Sequence, residues 1–208
     1  MKRIGLTQRV DTVHGYGERR DGLDQRWSQL FAELGYEVVA LPNRIPADLD
    51  AYLTALNLSA LALTGGNSLT VLDSGAEDIA PERDELEIAL LEWASSTSFP
   101  LFGVCRGMQM MNHYYGGKLV TVSGHVATDH RLISLTPSYK FSAKVNSYHN
   151  WCIPAGGLAR KLKPIATDES GNIEAFIHPD KPQLGIMWHP EREVPFKPED
   201  LALLKAFL

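Results

Sequence analysis

Cysteine is scarce in this chain: Cys105 and Cys152 are the only two in 208 residues. Two thiols close one bridge at most, so no disulfide framework holds the fold and an apolar core must do so. Long hydrophobic runs are missing as well. None approaches the roughly 18 consecutive residues that a membrane span requires. There is no basic excess, since 20 Lys and Arg face 25 Asp and Glu for a formal net charge of -5. The basic residues are scattered, which argues against nucleic acid or an anionic membrane as partner. Repeats, low-complexity tracts and long linkers are also lacking, and the length suits a single domain over residues 1–208. The opening MKRIGLTQR reads as a first strand and not as an export signal, which predicts a cytoplasmic protein with reduced thiols.

What is present alternates between strand and helix. Strand-like runs fall at residues 3–8, 38–41, 60–64 and 99–104, and helical patterns at 24–34, 48–56, 81–96 and 106–115. Residues 67–80 read as a polar loop. Pro81 opens the third helix with acidic residues in its first turn, where the helix dipole favours them. The second half is richer in strands, expected at 118–122, 131–135, 141–146, 173–177 and 184–188, before a last helix at 198–207. Such alternation predicts an α/β sheet with helices packed on its faces.

The segment Gly103-Val104-Cys105-Arg106-Gly107 lies between an apolar strand and a helix. This is the cysteine form of the strand–turn–helix elbow, in which the nucleophile sits on a sharp turn. Flanking glycines remove the Cβ atoms that would clash there. The turn places the sulfur at a helix N-terminus, where free N–H groups and the dipole favour thiolate. Cys152 has no such setting and reads as a small buried apolar residue.

A thiol nucleophile needs a base, and the base needs an orienter. Among the seven histidines, His189 ends an apolar run and is followed by Pro190 and Glu191. Residues two apart in extended chain face the same side, so Glu191 can hold the imidazole. The alternative is a surface His-Pro-Glu turn. His125 and His130 share the segment GHVATDH and raise the idea of a metal site, but no Cys or carboxylate cluster in the sequence completes one. They read as loop residues, and no metal or other cofactor is expected. His14, His113 and His178 stand without a constellation.

Taken in order, Gly65-Gly66-Asn67, the helix start Pro81 to Glu87, the elbow through Gln109, Met111-Asn112 with Gly116-Gly117, Val145 to His149, and Trp188 to Glu191 resemble the class I glutamine amidotransferase-like hydrolases. The resemblance covers most of the chain. It implies a flavodoxin-like α/β fold, with a mixed, mainly parallel sheet and helices on both faces. The arginine after the cysteine and the R-D-x-x-E helix are similar to the γ-glutamyl hydrolase branch. Within it, Thr7-Gln8-Arg9, Asn146 to Asn150 and Trp188 to Glu193 resemble small bacterial γ-glutamyl-CDP-amidate hydrolases of capsular phosphoramidate synthesis.

The resemblance implies a Cys105–His189–Glu191 triad acting through a thioester, and an oxyanion hole from the N–H groups of Arg106 and Gly66. Gln109, one helical turn beyond Cys105, and Asn146, Ser147, Tyr148 and His149 would meet the glutamyl group. Without that match, Gln109 is a surface residue as readily as a site residue, and Gly65-Gly66 a simple turn. The partner is then a small γ-glutamyl molecule. If its leaving group is nucleotide-linked, Arg9, Arg20 and Arg106 are the side chains expected to reach the phosphates. For Arg20, a solvated charge in the ERRD run is an equal reading. Two rival functions stay open: a glutaminase subunit feeding ammonia to a separate synthase, and a redox-sensing α/β protein that oxidises its elbow cysteine.

Overall fold

A computed structural model describes residues 2–208. The chain begins with β1 (Lys2–Thr7), then a hairpin of β2 (Arg9–Val13) and β3 (Glu18–Gly22). Helix α1 (Arg26–Glu33), β4 (Tyr36–Leu41), α2 (Leu49–Leu56) and β5 (Ala60–Leu63) follow. Next come α3 (Pro81–Thr97), β6 (Leu101–Val104) and α4 (Arg106–Tyr114). The second half carries β7 (Val120–Thr121), β8 (Val126–Arg131), β9 (Ile133–Ser134), β10 (Lys144–Tyr148) and β11 (Trp151–Cys152). It closes with β12 (Lys163–Thr167), β13 (Ile173–Ile177), β14 (Gln183–Ile186) and α5 (Pro198–Phe207).

Eight strands make one sheet in the order β4-β1-β5-β6-β14-β13-β12-β9. The five from β4 to β14 run parallel, and β13, β12 and β9 add an antiparallel wing. The parallel part follows the flavodoxin-like order, which reverses beside β1 and leaves a crevice at the strands' carboxyl ends.

Both faces are covered, so the central strands are apolar on both sides. On β5, Ala60 and Ala62 join a cluster with Trp27, Phe31 and Leu204, while Leu61 and Leu63 join another with Leu90, Met108 and Met111. Alternation along the strand sends successive side chains to α1 and α5 on one face and to α2, α3 and α4 on the other. Helix α1 buries Trp27, Leu30 and Phe31, the spacing of a single helical stripe. Asp48 caps α2 by accepting from the Ala51 N–H at 2.9 Å.

Several expected boundaries move. The run at 118–122 forms only the short β7, the strand expected at 131–135 divides into β8 and β9, and that at 141–146 shifts onward to become β10. Four strands outside the expected set are β2, β3, β11 and β12. The polar ERRDG of β3 has no apolar alternation, and β12 contains Pro164, so neither carries the usual strand signal.

Candidate active site

Cys105 follows β6 directly and caps α4 with φ +50°, ψ -104°, a backbone region that L residues seldom occupy. The elbow is held on one side by the Cys105 N–H donating to the Ile186 carbonyl at 2.8 Å. On the other, the glycines are needed for space. A Cβ on Gly103 would stand 2.8 Å from the Gly107 carbonyl carbon, and one on Gly107 would run into the Leu63 carbonyl of β5. Arg106 is the first residue of α4, so its N–H has no acceptor within the helix.

Strand β14 pairs with β6 in parallel, Ile186 opposite Val104, so the chain leaving β14 emerges beside the elbow. His189 lies there, buried, with Nδ1 2.7 Å from Glu191 Oε1. Its backbone is clamped by Asn146, whose side-chain oxygen accepts from the His189 N–H at 2.9 Å and whose amide donates to the His189 carbonyl at 2.9 Å. Nε2 has no hydrogen-bond partner. Burial alone would lower the His189 pKa; the neighbouring Cys105 and Glu191 outweigh that and lift it to about 9. The imidazole packs against the turn after β5. A Cβ on Gly65 would approach His189 Cε1 to 2.7 Å.

That turn is oriented by Arg83 of α3. Its guanidinium, fully buried, donates to the carbonyls of Thr64 at 2.7 Å, Gly65 at 3.1 Å and Gly66 at 2.9 Å. In a trans peptide the carbonyl and the following N–H point in opposite directions. Drawing the Gly65 carbonyl to Arg83 therefore turns the Gly66 N–H the other way, and the positive φ of Gly66, +84°, makes room for the bend. Behind Arg83 lies a buried ion network: Glu87 accepts from Arg83, Thr7 and Arg106, and Arg106 also pairs with Asp84. Burial would raise the Glu87 carboxyl, but Arg106 and Arg83 hold it below its ordinary range.

A cavity of about 420 Å³ opens onto Cys105 between Gly66, Gln109, Tyr148, His149 and Trp151. A smaller one of about 70 Å³ adjoins it at Gly66 and is bordered by Arg9, His189, Glu191 and Arg192.

The class-I glutamine amidotransferase family model matches residues 20–208. The chain belongs to that family. The γ-glutamyl-CDP-amidate hydrolase of Campylobacter jejuni is 32% identical over 191 residues, spanning 91% of this chain and 90% of its own. The glutamine amidotransferase-like protein YvdE of Lactococcus lactis is 29% identical, covering 80% of this chain and 79% of its own. A Thermotoga maritima glutamine amidotransferase superposes with TM-score 0.67 over 99% of this chain and 83% of that one; at 16% identity the likeness concerns the fold. This amidotransferase-family chain is thus a hydrolase acting on γ-glutamyl amide bonds, on the expected class I α/β fold. No helix among its described residues is long and apolar enough to cross a membrane.

Within the family fold, Gln109, Tyr148 and His149 line the cavity beside Cys105. Gln109 also donates to the Trp151 carbonyl at 3.0 Å. Two neighbours differ from expectation. Asn146 spends its amide on His189 and Glu193, and the buried Ser147 donates to the His125 carbonyl at 2.8 Å. Both brace the wall and do not face its interior. The Arg106 side chain, offered above as a phosphate contact, is buried in the Glu87–Asp84 network and is corrected to a structural role. Arg20 sits exposed on the β2–β3 hairpin, held by Glu18 at 2.6 Å and Tyr16 at 3.0 Å, and borders neither cavity. Arg9 does border the smaller one, while pairing with Asp11 at 2.8 Å.

Sequence reasoning missed Arg192, whose guanidinium lies 4.2 Å from the Tyr148 ring centroid at the mouth of the smaller cavity. It also missed the anchoring role of Arg83, although the R-D-x-x-E pattern contains it. The ground for setting aside a metal at His125 and His130 fails in three dimensions: His149 and Glu174 join them, and the four donor atoms lie within 4.8 Å of one another.

Proposed function

We propose that this enzyme cleaves γ-glutamyl conjugates through a covalent Cys105 thioester, with a nucleotide-linked phosphoramidate as leaving group. The observation that carries the reading is the meeting of three strand ends: the Cys105 elbow after β6, the His189–Glu191 pair after β14, and the Arg83-braced turn after β5.

The chemistry follows from those positions. Cys105 Sγ attacks the γ-carbonyl carbon, and the oxyanion that forms is met by the N–H groups of Arg106 and Gly66. His189, held as imidazolium by Cys105 and Glu191, gives its proton to the leaving nitrogen. The C–N bond breaks and leaves a γ-glutamyl thioester. Water, deprotonated by His189, then attacks the same carbon, and glutamate leaves as the sulfur departs. Glu191 keeps Nδ1 protonated and Nε2 turned to the reaction throughout.

The choice of leaving group is supported by the Campylobacter jejuni relative and by the arginines at the smaller cavity, Arg9 and Arg192. A guanidinium grips phosphate oxygens through paired charge-assisted hydrogen bonds, and no glutaminase substrate needs them.

The test is a panel of glutamine, a γ-glutamyl amine, a folyl polyglutamate and γ-glutamyl-CDP-amidate, with glutamate release followed by mass spectrometry. Preferred turnover of the last, reduced at least tenfold in kcat/KM by Arg192→Ala, is expected. Turnover of glutamine alone, increased by an added synthase, would move the protein to the ammonia-supplying glutaminases.

A further inference from the structure

We propose that His125, His130, His149 and Glu174 form a binding site for one divalent late-transition metal ion, zinc foremost. The site lies behind the wall of the Cys105 cavity and is independent of the substrate reading above.

Its donors come from four places in the fold. His125 precedes β8, His130 lies on it, His149 follows β10, and Glu174 projects from β13 of the main sheet. His149 and Glu174 have side chains only 1% exposed, and those of His125 and His130 are 14% exposed. Five polar atoms in this small volume have no partner: both oxygens of Glu174, Nε2 of His149, Nε2 of His130 and Nδ1 of His125. Each unsatisfied buried polar atom costs free energy, and five in contact point to a missing common partner.

A proton cannot be that partner. His130 Nε2 stands 3.5 Å and His149 Nε2 3.9 Å from the Glu174 oxygens, too long for a normal hydrogen bond. One shared hydrogen would in any case leave most of the five atoms unpaired. A tetrahedral ion with bonds of about 2.0–2.1 Å spaces its donor atoms roughly 3.4 Å apart, so the four atoms, within 4.8 Å of one another here, would draw in onto it.

The histidines are also set in the ligating tautomer. Nδ1 of His149 lies 3.0 Å from the Trp151 carbonyl, and Nδ1 of His130 lies 3.4 Å from the Arg131 carbonyl. Donation to those carbonyls leaves Nε2 with a free lone pair toward Glu174. For His125 the roles exchange: Nε2 faces Asp168 Oδ2 at 3.7 Å, and the unpartnered Nδ1 is the donor to metal. Asp168 is itself fixed by the N–H groups of Ser170 and Asn172. An outer acceptor on the far nitrogen, as His149 and His130 have here, is the usual arrangement around protein-bound zinc.

Three imidazoles and one carboxylate suit zinc and its late-transition neighbours, whereas calcium and magnesium take oxygen sets. Four protein ligands close the coordination sphere, so the ion would fasten the β8–β10 flap to the main sheet. The flap carries Tyr148 and His149 at the cavity wall.

The test uses the full chain, stripped with chelator and titrated with zinc chloride by calorimetry, with metal content measured after dialysis. One equivalent bound with Kd below about 1 μM is expected. Glu174→Gln and His130→Gln should each weaken it by more than the ~10–100-fold that loss of an outer partner costs. Cys105→Ala should bind unchanged. Cobalt in place of zinc should give d–d bands without a thiolate charge-transfer band. If Glu174→Gln misfolds by circular dichroism, His130→Gln on the flap bears the test. The proposal is overturned if the wild-type chain holds no stoichiometric zinc, if binding vanishes in Cys105→Ala, or if both ligand variants bind like wild type.

Discussion

At the scale of single residues, reactivity turns on the environment of one imidazole. Cys105 and Glu191 hold His189 protonated up to about pH 9 against the opposing effect of burial. In the mechanism proposed above, acylation needs that proton for the leaving nitrogen, so kcat/KM should fall above about pH 9. Glu191→Gln withdraws one of the groups that raise the pKa and should move the fall to lower pH. A pH–rate profile of the two proteins checks this; coincident alkaline limbs would separate Glu191 from the imidazole's charge. Cys105→Ala should remove turnover altogether while leaving the thermal midpoint within a few degrees, since the cysteine is small and its elbow is held by backbone contacts. The elbow at Cys105 and the His189–Glu191 pair were readable in the chain because sharp turns leave local marks. G-x-C-x-G and His-Pro-Glu each announce a geometry that only certain side chains tolerate. The roles of Asn146 and Ser147 were not readable, because which way a side chain faces at a strand end depends on the partner strand.

At the scale of elements, α3 is more than a covering helix. Arg83 reaches three successive carbonyls of the β5 turn, and only a planar fork with several N–H groups can do so. Arg83→Lys keeps the charge but not the fork. It should lower kcat by on the order of 10²–10³ through loss of the Gly66 donor. Arg83→Ala should in addition cost about 1–3 kcal/mol, since Glu87 keeps Arg106 but the Thr64, Gly65 and Gly66 carbonyls lose their donor. Full kcat in the lysine variant would show that the turn keeps its orientation unaided.

Helix α5 gives a second case. Asp200 is buried, accepts from Trp188 Nε1 at 3.0 Å, and is pushed by burial from 3.8 to about 6. A carboxyl raised on folding stabilises while protonated, so its contribution is complete below about pH 4 and is lost as pH rises through 6. Asp200→Asn keeps the acceptor and cannot ionise. Relative to it, the wild-type chain should lose up to about 3 kcal/mol between pH 4 and 7, read by denaturant unfolding. An unchanged difference across that range would place the ionised carboxylate in water.

At the scale of the whole molecule, strand order brings distant segments together. β14 inserts between β6 and β13, and this sets His189 beside Cys105 and Glu174 behind it. Residue order by itself determined the α/β class, the elbow, and the His-x-Glu pair. Those are local matters of hydrophobic period and turn chemistry, each decided within a few neighbouring positions. Only the tertiary structure decided that Arg83 braces the β5 turn, that Arg106 faces inward to Glu87, and that three histidines converge on one carboxylate. Such contacts join positions far apart in the chain, and their distances exist only after the sheet has chosen its neighbours.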